Sequence, residues 1–231
     1  MNMQTFFSEI TALCRNEQFL HSVMEKYHYD PEEYPNLKRL AGEMIPCLET
    51  EAGWQDREIK ETFPGRDQSF LAVGITLGKG IDALQEKYLQ NGFLTESYMI
   101  EVLSSELLLK SYRVYTEWVV VHRNLHVARL HFLGGGEISE TSESPISGLL
   151  QLANLPMLLQ ELALPVTCNA AYCMIPKKSV VFYAELTKDP FTKCAGICLG
   201  CGRRDCPNRP NRPLSYGYAR IFSKSTDENG R

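Results

Sequence analysis

The chain reads as an α+β protein, and three observations predict this. Apolar residues fall at helical spacing through the first half of the chain. Short β-branched runs bounded by glycine and polar turns recur from Ser69 onward. Two strand-like runs near the C-terminal end are joined by a tight polar turn, as in an antiparallel hairpin.

The elements can be justified in order. Phe6 to Tyr27 places Phe6, Ile10, Leu13, Cys14, Phe19, Leu20 and Val23 mainly at helical intervals. A second helix is expected from Asp30-Pro31-Glu32-Glu33, where Asp30 can cap free amides, Pro31 suits the first turn and Glu33 completes a capping box. It turns Leu37, Leu40, Ala41, Met44 and Ile45 inward. Residues 51–68 contain Gly53, Pro64 and Gly65 among polar side chains and read as a connection.

Ser69 to Leu77 is apolar and partly β-branched, and predicts a buried strand. A short helix follows over Ile81 to Leu89, then a long one from Thr95 to about Val119 with Met99, Val102, Leu103, Leu107, Tyr112 and Tyr115 on its inner face. Helix and strand patterns compete over Val119 to Leu133, and Gly134-Gly135-Gly136 ends either one. Ser144-Pro145 opens an apolar helix over Ile146 to Leu162, which Pro156 should kink or split. Val166 to Met174 and Ser179 to Leu186 read as two strands of one hairpin, turned by Ile175-Pro176-Lys177-Lys178. The tail beyond Pro207 is basic and poor in apolar residues. The expected organisation is an N-terminal helical segment (1–60), a main α+β body (61–190), and a cysteine-rich tail (191–231).

At 231 residues with 44% hydrophobic content, the chain can build a core without disulfides. A net charge of −4 provides no general attraction to nucleic acid or anionic membrane. No run reaches the length of a membrane span, and the N-terminus lacks the pattern of a signal peptide, so the expected location is cytoplasmic. Of eight cysteines, Cys14, Cys47, Cys168 and Cys173 lie in apolar segments and are expected to be core filler.

The other four form C-x3-C-x2-C-x4-C: Cys194-Ala-Gly-Ile-Cys198-Leu-Gly-Cys201-Gly-Arg-Arg-Asp-Cys206-Pro207. Thiolates so close together can share one inorganic centre if the backbone loops around it, and Gly196, Gly200 and Gly202 permit that. Four thiolates suit an iron–sulfur cluster or, alternatively, tetrahedral zinc. Zinc ribbons separate two C-x2-C pairs by a longer stretch, which is absent here, and Pro207 after the last cysteine matches ferredoxin usage. Lys193, Arg203 and Arg204 favour the thiolate form. The first three cysteines also match the radical S-adenosylmethionine triplet, but no barrel-length sequence follows them.

The stretches Phe70-Leu-Ala-Val-Gly-Ile-Thr-Leu-Gly78, the helices through Glu117, and Met174-Ile-Pro-Lys-Lys-Ser-Val-Val181 resemble the activation domain of cobalamin-dependent methionine synthase. They look closest to the small free-standing relatives that end in a cysteine cluster. The resemblance spans roughly residues 65–210 and implies a single curved domain, an antiparallel sheet flanked by helices. It implies an accessory role in reductive reactivation: an electron and a methyl group from S-adenosylmethionine return cob(II)alamin to methylcobalamin. The partner would be methionine synthase or another corrinoid protein that carries the cobalamin, with flavodoxin or ferredoxin as possible electron donor. Neither membrane nor nucleic acid is expected as a partner on this reading.

The family binds S-adenosylmethionine through R-x-x-x-G-Y and an acid on the long helix. Here Arg129-Leu-His-Phe-Leu-Gly-Gly-Gly136 keeps the arginine and glycines at shifted spacing and has no tyrosine. Leu109 stands opposite the family's acid, with Glu106 one turn earlier. The cofactor-binding candidates are therefore Arg129, Gly134, Gly135, Glu106 and Ser179, the last where the family has a serine before its final strand. Lys177 and Lys178 read as solvated turn residues. His122 and His126 would share a helix face only if the long helix continued past them. The rival function is a zinc-knuckle binding module contacting a protein or single-stranded nucleic acid.

Overall fold

The computed structural model describes residues 3–59, 68–134 and 146–192. They form an α+β fold: a four-stranded antiparallel sheet with helices on one face and a smaller layer on the other. In chain order come α1 (Met3–Leu13), α2 (Glu17–Tyr27), α3 (Tyr34–Met44), β1 (Glu51–Ile59), β2 (Gln68–Thr76), α4 (Lys79–Gln90), α5 (Leu94–Arg123) and β3 (His126–Phe132). Then follow α6 (Leu155–Glu161), β4 (Thr167–Cys168), β5 (Met174–Ile175) and β6 (Ser179–Thr187).

The sheet order is β1-β2-β6-β3. Its register aligns Trp54, Val73, Phe182 and Phe132 in one row across the strands, and Arg57, Phe70, Glu185 and Arg129 in another. Because side chains alternate along a strand, these two rows face opposite sides. Leu71, Val73 and Ile75 pack with Phe182 under α5, in the same buried cluster as Ile10, Leu20, Leu37, Leu40 and Met44 from α1, α2 and α3. The N-terminal helices thus share the core of the main body. On the other face, Phe70, Ala72, Val181 and Tyr183 pack against Ile146, Leu150, Leu158 and Leu159.

Several expectations need correcting. The first apolar stretch is two helices, because Asn16 caps α2 by accepting from the Phe19 N–H at 2.9 Å. Asp30 does cap, accepting from the Glu32 N–H at 3.1 Å, but it opens a single 3-10 turn before α3. Residues 51–59 are an edge strand and not a connection. Only one face of β1 meets the helical core, and Asp56 and Arg57 suit an edge whose backbone is half unpaired. The helix expected over Ile146–Leu162 is split into two 3-10 turns and α6, with Pro156 in the first turn of α6.

The hairpin turned at 175–178 does not form. Both flanks of β6 are already occupied by β2 and β3, so β5 pairs instead with β4 as a separate ribbon. α5 ends at Arg123, where Asn124 adopts a left-handed conformation with φ 50°, so His122 and His126 fall on different elements. Among the four cysteines in apolar segments, Cys14 is buried, Cys47 and Cys168 are half-buried and Cys173 is exposed. No helix among the described residues is long and apolar enough to cross a membrane.

Candidate functional site

Three sequence stretches meet where β2 ends and β6 begins. Thr76 and Ser179 are cross-strand neighbours. Ser179 Oγ lies 2.8 Å from the Pro176 carbonyl oxygen and 2.8 Å from Thr76 Oγ1. A hydroxyl carries one proton, and the carbonyl can only accept. Ser179 therefore donates to Pro176, Thr76 donates to Ser179, and Thr76 Oγ1 accepts from the Gly78 N–H at 3.1 Å. Both hydroxyls of this buried pair are satisfied.

The turn before β6 is fastened to both neighbouring helices. The Lys177 N–H donates to Asp82 of α4 at 2.8 Å. The Lys178 carbonyl accepts from the Leu77 N–H at 2.9 Å. The Lys178 ammonium, 8% exposed, pairs with Glu101 of α5 and donates to Ser105 Oγ at 3.0 Å. Gln85 donates to the other Glu101 oxygen at 3.0 Å. Burial works to raise the Glu101 carboxyl's pKa, but the Lys178 hydrogen bond and charge outweigh it and hold the group below its ordinary value. Lys178 was expected in solvent and is instead a buried cation. Its signal in the sequence was the i, i+4 pair Glu101 and Ser105, which places an acid and a hydroxyl on one helix face.

A second polar cluster lies on the sheet face away from α5. Arg129 is exposed on β3, in register with Glu185. Two residues on, His131 is buried and its Nε2 donates to Glu185 Oε2 at 3.1 Å, with the Phe70 ring edge-on at 6.1 Å. The His131 hydrogen bond, opposed by burial and helped by the charges of His131 and Arg129, keeps Glu185 below its ordinary carboxyl pKa. Arg57 and Glu161 form an ion pair on this same face. Gly134 has φ 68° and donates its N–H to Leu150 at 2.9 Å. A Cβ there would press into Leu152, so this turn needs glycine on both counts.

Glu106 sits elsewhere. Its carboxylate is buried between α5 and α2, where Lys26 Nζ stands 2.5 Å away and the Tyr27 hydroxyl donates at 2.9 Å. The structure therefore does not gather the expected cofactor residues. Arg129 and Gly134 share one sheet face, whereas Glu106 lies beyond the other. Ser179 is six residues along β6 from the partner of Arg129, about 20 Å at strand spacing. Gly135 and Cys194, Cys198, Cys201 and Cys206 lie outside the described residues. Among the described residues, no group of three or more His, Cys, Asp or Glu side chains is placed to hold a metal ion.

Neither the protein-family models nor the curated proteins match this chain.

Proposed function

We propose that the protein reactivates a cobalamin-dependent methyltransferase, methionine synthase in the first instance, with an iron–sulfur cluster held by Cys194, Cys198, Cys201 and Cys206. One observation supports the reading most. The three stretches that resemble the activation domain are far apart in sequence, yet they are knitted together through Thr76–Ser179, Asp82–Lys177 and Glu101–Lys178. A merely local likeness in each stretch would not require them to meet.

The reaction is the reductive methylation of the partner's corrinoid. One electron and the methyl group of S-adenosylmethionine convert cob(II)alamin to methylcobalamin, leaving S-adenosylhomocysteine. A cluster, when bound, supplies a low-potential electron close at hand. Arg129 and Gly134 are the residues that would hold S-adenosylmethionine, by a charge for its carboxylate and a backbone turn that admits close approach. Glu106, held by Lys26 beyond the other face of the sheet, stands apart from them. A single curved domain carrying a cysteine tail is the architecture that goes with this role.

The test uses anaerobically purified full-length protein. It should be brown, with iron and sulfide bound. Added with S-adenosylmethionine and reductant to methionine synthase in the cob(II)alamin state, it should restore the methylcobalamin spectrum and transfer a labelled methyl group. A colourless protein with stoichiometric zinc and no methyl transfer would favour the zinc-knuckle module instead.

A further inference from the structure

The turn between α4 and α5 is closed by backbone bonds of a defined kind. Gly92, with φ 80°, donates its N–H to the Leu89 carbonyl at 3.1 Å, and the Phe93 N–H donates to the Tyr88 carbonyl at 3.0 Å. This pair of bonds is a Schellman ending, and the apolar contact that goes with it is Phe93 against Tyr88, ring centroids 6.0 Å apart. The Ser97 N–H then donates to the Phe93 carbonyl at 3.0 Å as α5 begins. Leu94 and Tyr98 stand four residues apart on α5 and so share one face, and Tyr98 lies beside Tyr29 of the α2–α3 connection. We infer that this helical tip, centred on Phe93, Leu94 and Tyr98, is the contact surface for a second copy of the chain.

Exposed apolar area is concentrated here. Of the twelve large apolar side chains that stand exposed among the described residues, Leu89, Phe93, Leu94 and Tyr98 fall within ten residues, each 47% to 65% exposed. Together they show roughly 400 Å² to solvent, taking ordinary side-chain areas. A lone exposed leucine needs no explanation, but a patch of this size on a pair of packed helices marks an interaction site. A two-fold contact counts the patch twice. The side chains around it then carry the total past the roughly 1,000 Å² of a specific interface.

The charges at its edge select a second copy over a strongly basic or acidic partner. Arg39 pairs with Glu43 at 2.6 Å, donates to the Tyr88 hydroxyl at 2.7 Å and lies over that ring at 5.9 Å. Lys87 acts on the same Glu43, Glu86 accepts from Gln90 at 3.0 Å, and Glu96 falls between Leu94 and Tyr98 in sequence. Two cations and three carboxylates therefore border the patch, close to balance. Rotated about a two-fold axis, an edge of both signs can set cation against carboxylate, whereas an edge of one sign would repel itself. A nucleic acid or a strongly charged protein meets no matching field here.

Sedimentation equilibrium of the anaerobically purified full-length protein tests this contact. The mass should rise from monomer to dimer over about 1–100 μM. Leu94→Glu combined with Tyr98→Glu, both at exposed sites, should raise the dissociation constant at least roughly tenfold. Tyr98→Ala alone, which adds no charge, should raise it by a smaller factor, and the circular dichroism of both variants should match wild type. Val121→Glu places the same charge on an apolar site that is 68% exposed, about 40 Å along α5 from Leu94, and should leave the equilibrium unchanged. A wild type that stays monomeric throughout the range would overturn the assignment. So would folded variants at 94 and 98 that dimerise as wild type does, or a larger effect from Val121→Glu.

Discussion

Lys178 donates from its ammonium to Ser105 Oγ at 3.0 Å, although the two residues are 73 positions apart. The same ammonium pairs with Glu101, one turn before Ser105 on α5. This contact fastens the start of β6 to the longest described helix.

Lys178→Met should keep the volume and lose the pair. Glu101 is 38% exposed, so water recovers part of the loss. A destabilisation of about 1–2 kcal/mol at neutral pH is expected from urea unfolding. The pH dependence has a definite sign. The folded Glu101 pKa is below its ordinary 4.5, so the pair's contribution is full above that value and disappears as pH falls through the folded one. Wild type should lose stability more steeply than the variant below about pH 4.5. Parallel acid limbs would show that the pair contributes nothing.

Two glycines should respond oppositely to the same substitution. A Cβ on Gly53 of β1 would come 2.3 Å from the Leu162 carbonyl oxygen, a backbone atom that cannot step aside. Gly53→Ala should cost about 2–3 kcal/mol. Gly42, within α3, has no neighbour within 4 Å of that position, so Gly42→Ala should stabilise by about 0.5–1 kcal/mol. Thermal unfolding of both variants checks the pair of signs.

Glu106→Gln should leave Lys26 buried without its counter-charge. Both side chains are at most 10% exposed, so a loss of about 2–4 kcal/mol is expected. The affinity of the folded variant for S-adenosylmethionine, measured well below its melting temperature, should match wild type. A large loss of affinity would mean that α2 moves and frees the carboxylate.

Thiol reactivity should divide the cysteines by burial. Burial pushes the Cys14 thiol up to about 11, so at pH 8 only about one in a thousand is thiolate. Burial also raises Cys47, helped by Glu43 and Glu49. Among these residues Cys173 should be labelled first in native protein, as peptide mass spectrometry will show. Cys168 pairs with Met174, and the Asn169 N–H meets the Cys173 carbonyl, so alternation sends the two thiols to opposite faces of the ribbon. Oxidation should not join them.

Some of this fold is legible in the order of residues alone. The apolar pattern of β2 and the inner face of α5 were readable to within a few residues, because each element buries a whole face and its period records that. The Asp30 cap and the interruption at Pro156 were readable for local reasons of backbone geometry. β1 was not, since an edge strand carrying Asp56 and Arg57 has the composition of a loop.

The class of fold and the spacing of four thiols follow from residue order alone, since both are written in residues close together along the chain. Packing in three dimensions is what gives Glu106 to Lys26, buries Lys178 against Glu101, and sets Arg129 and Ser179 at different ends of one sheet. Those partnerships join residues that are distant in the chain. They depend on which strands flank β6 and which helix covers each face, and no local period records that choice.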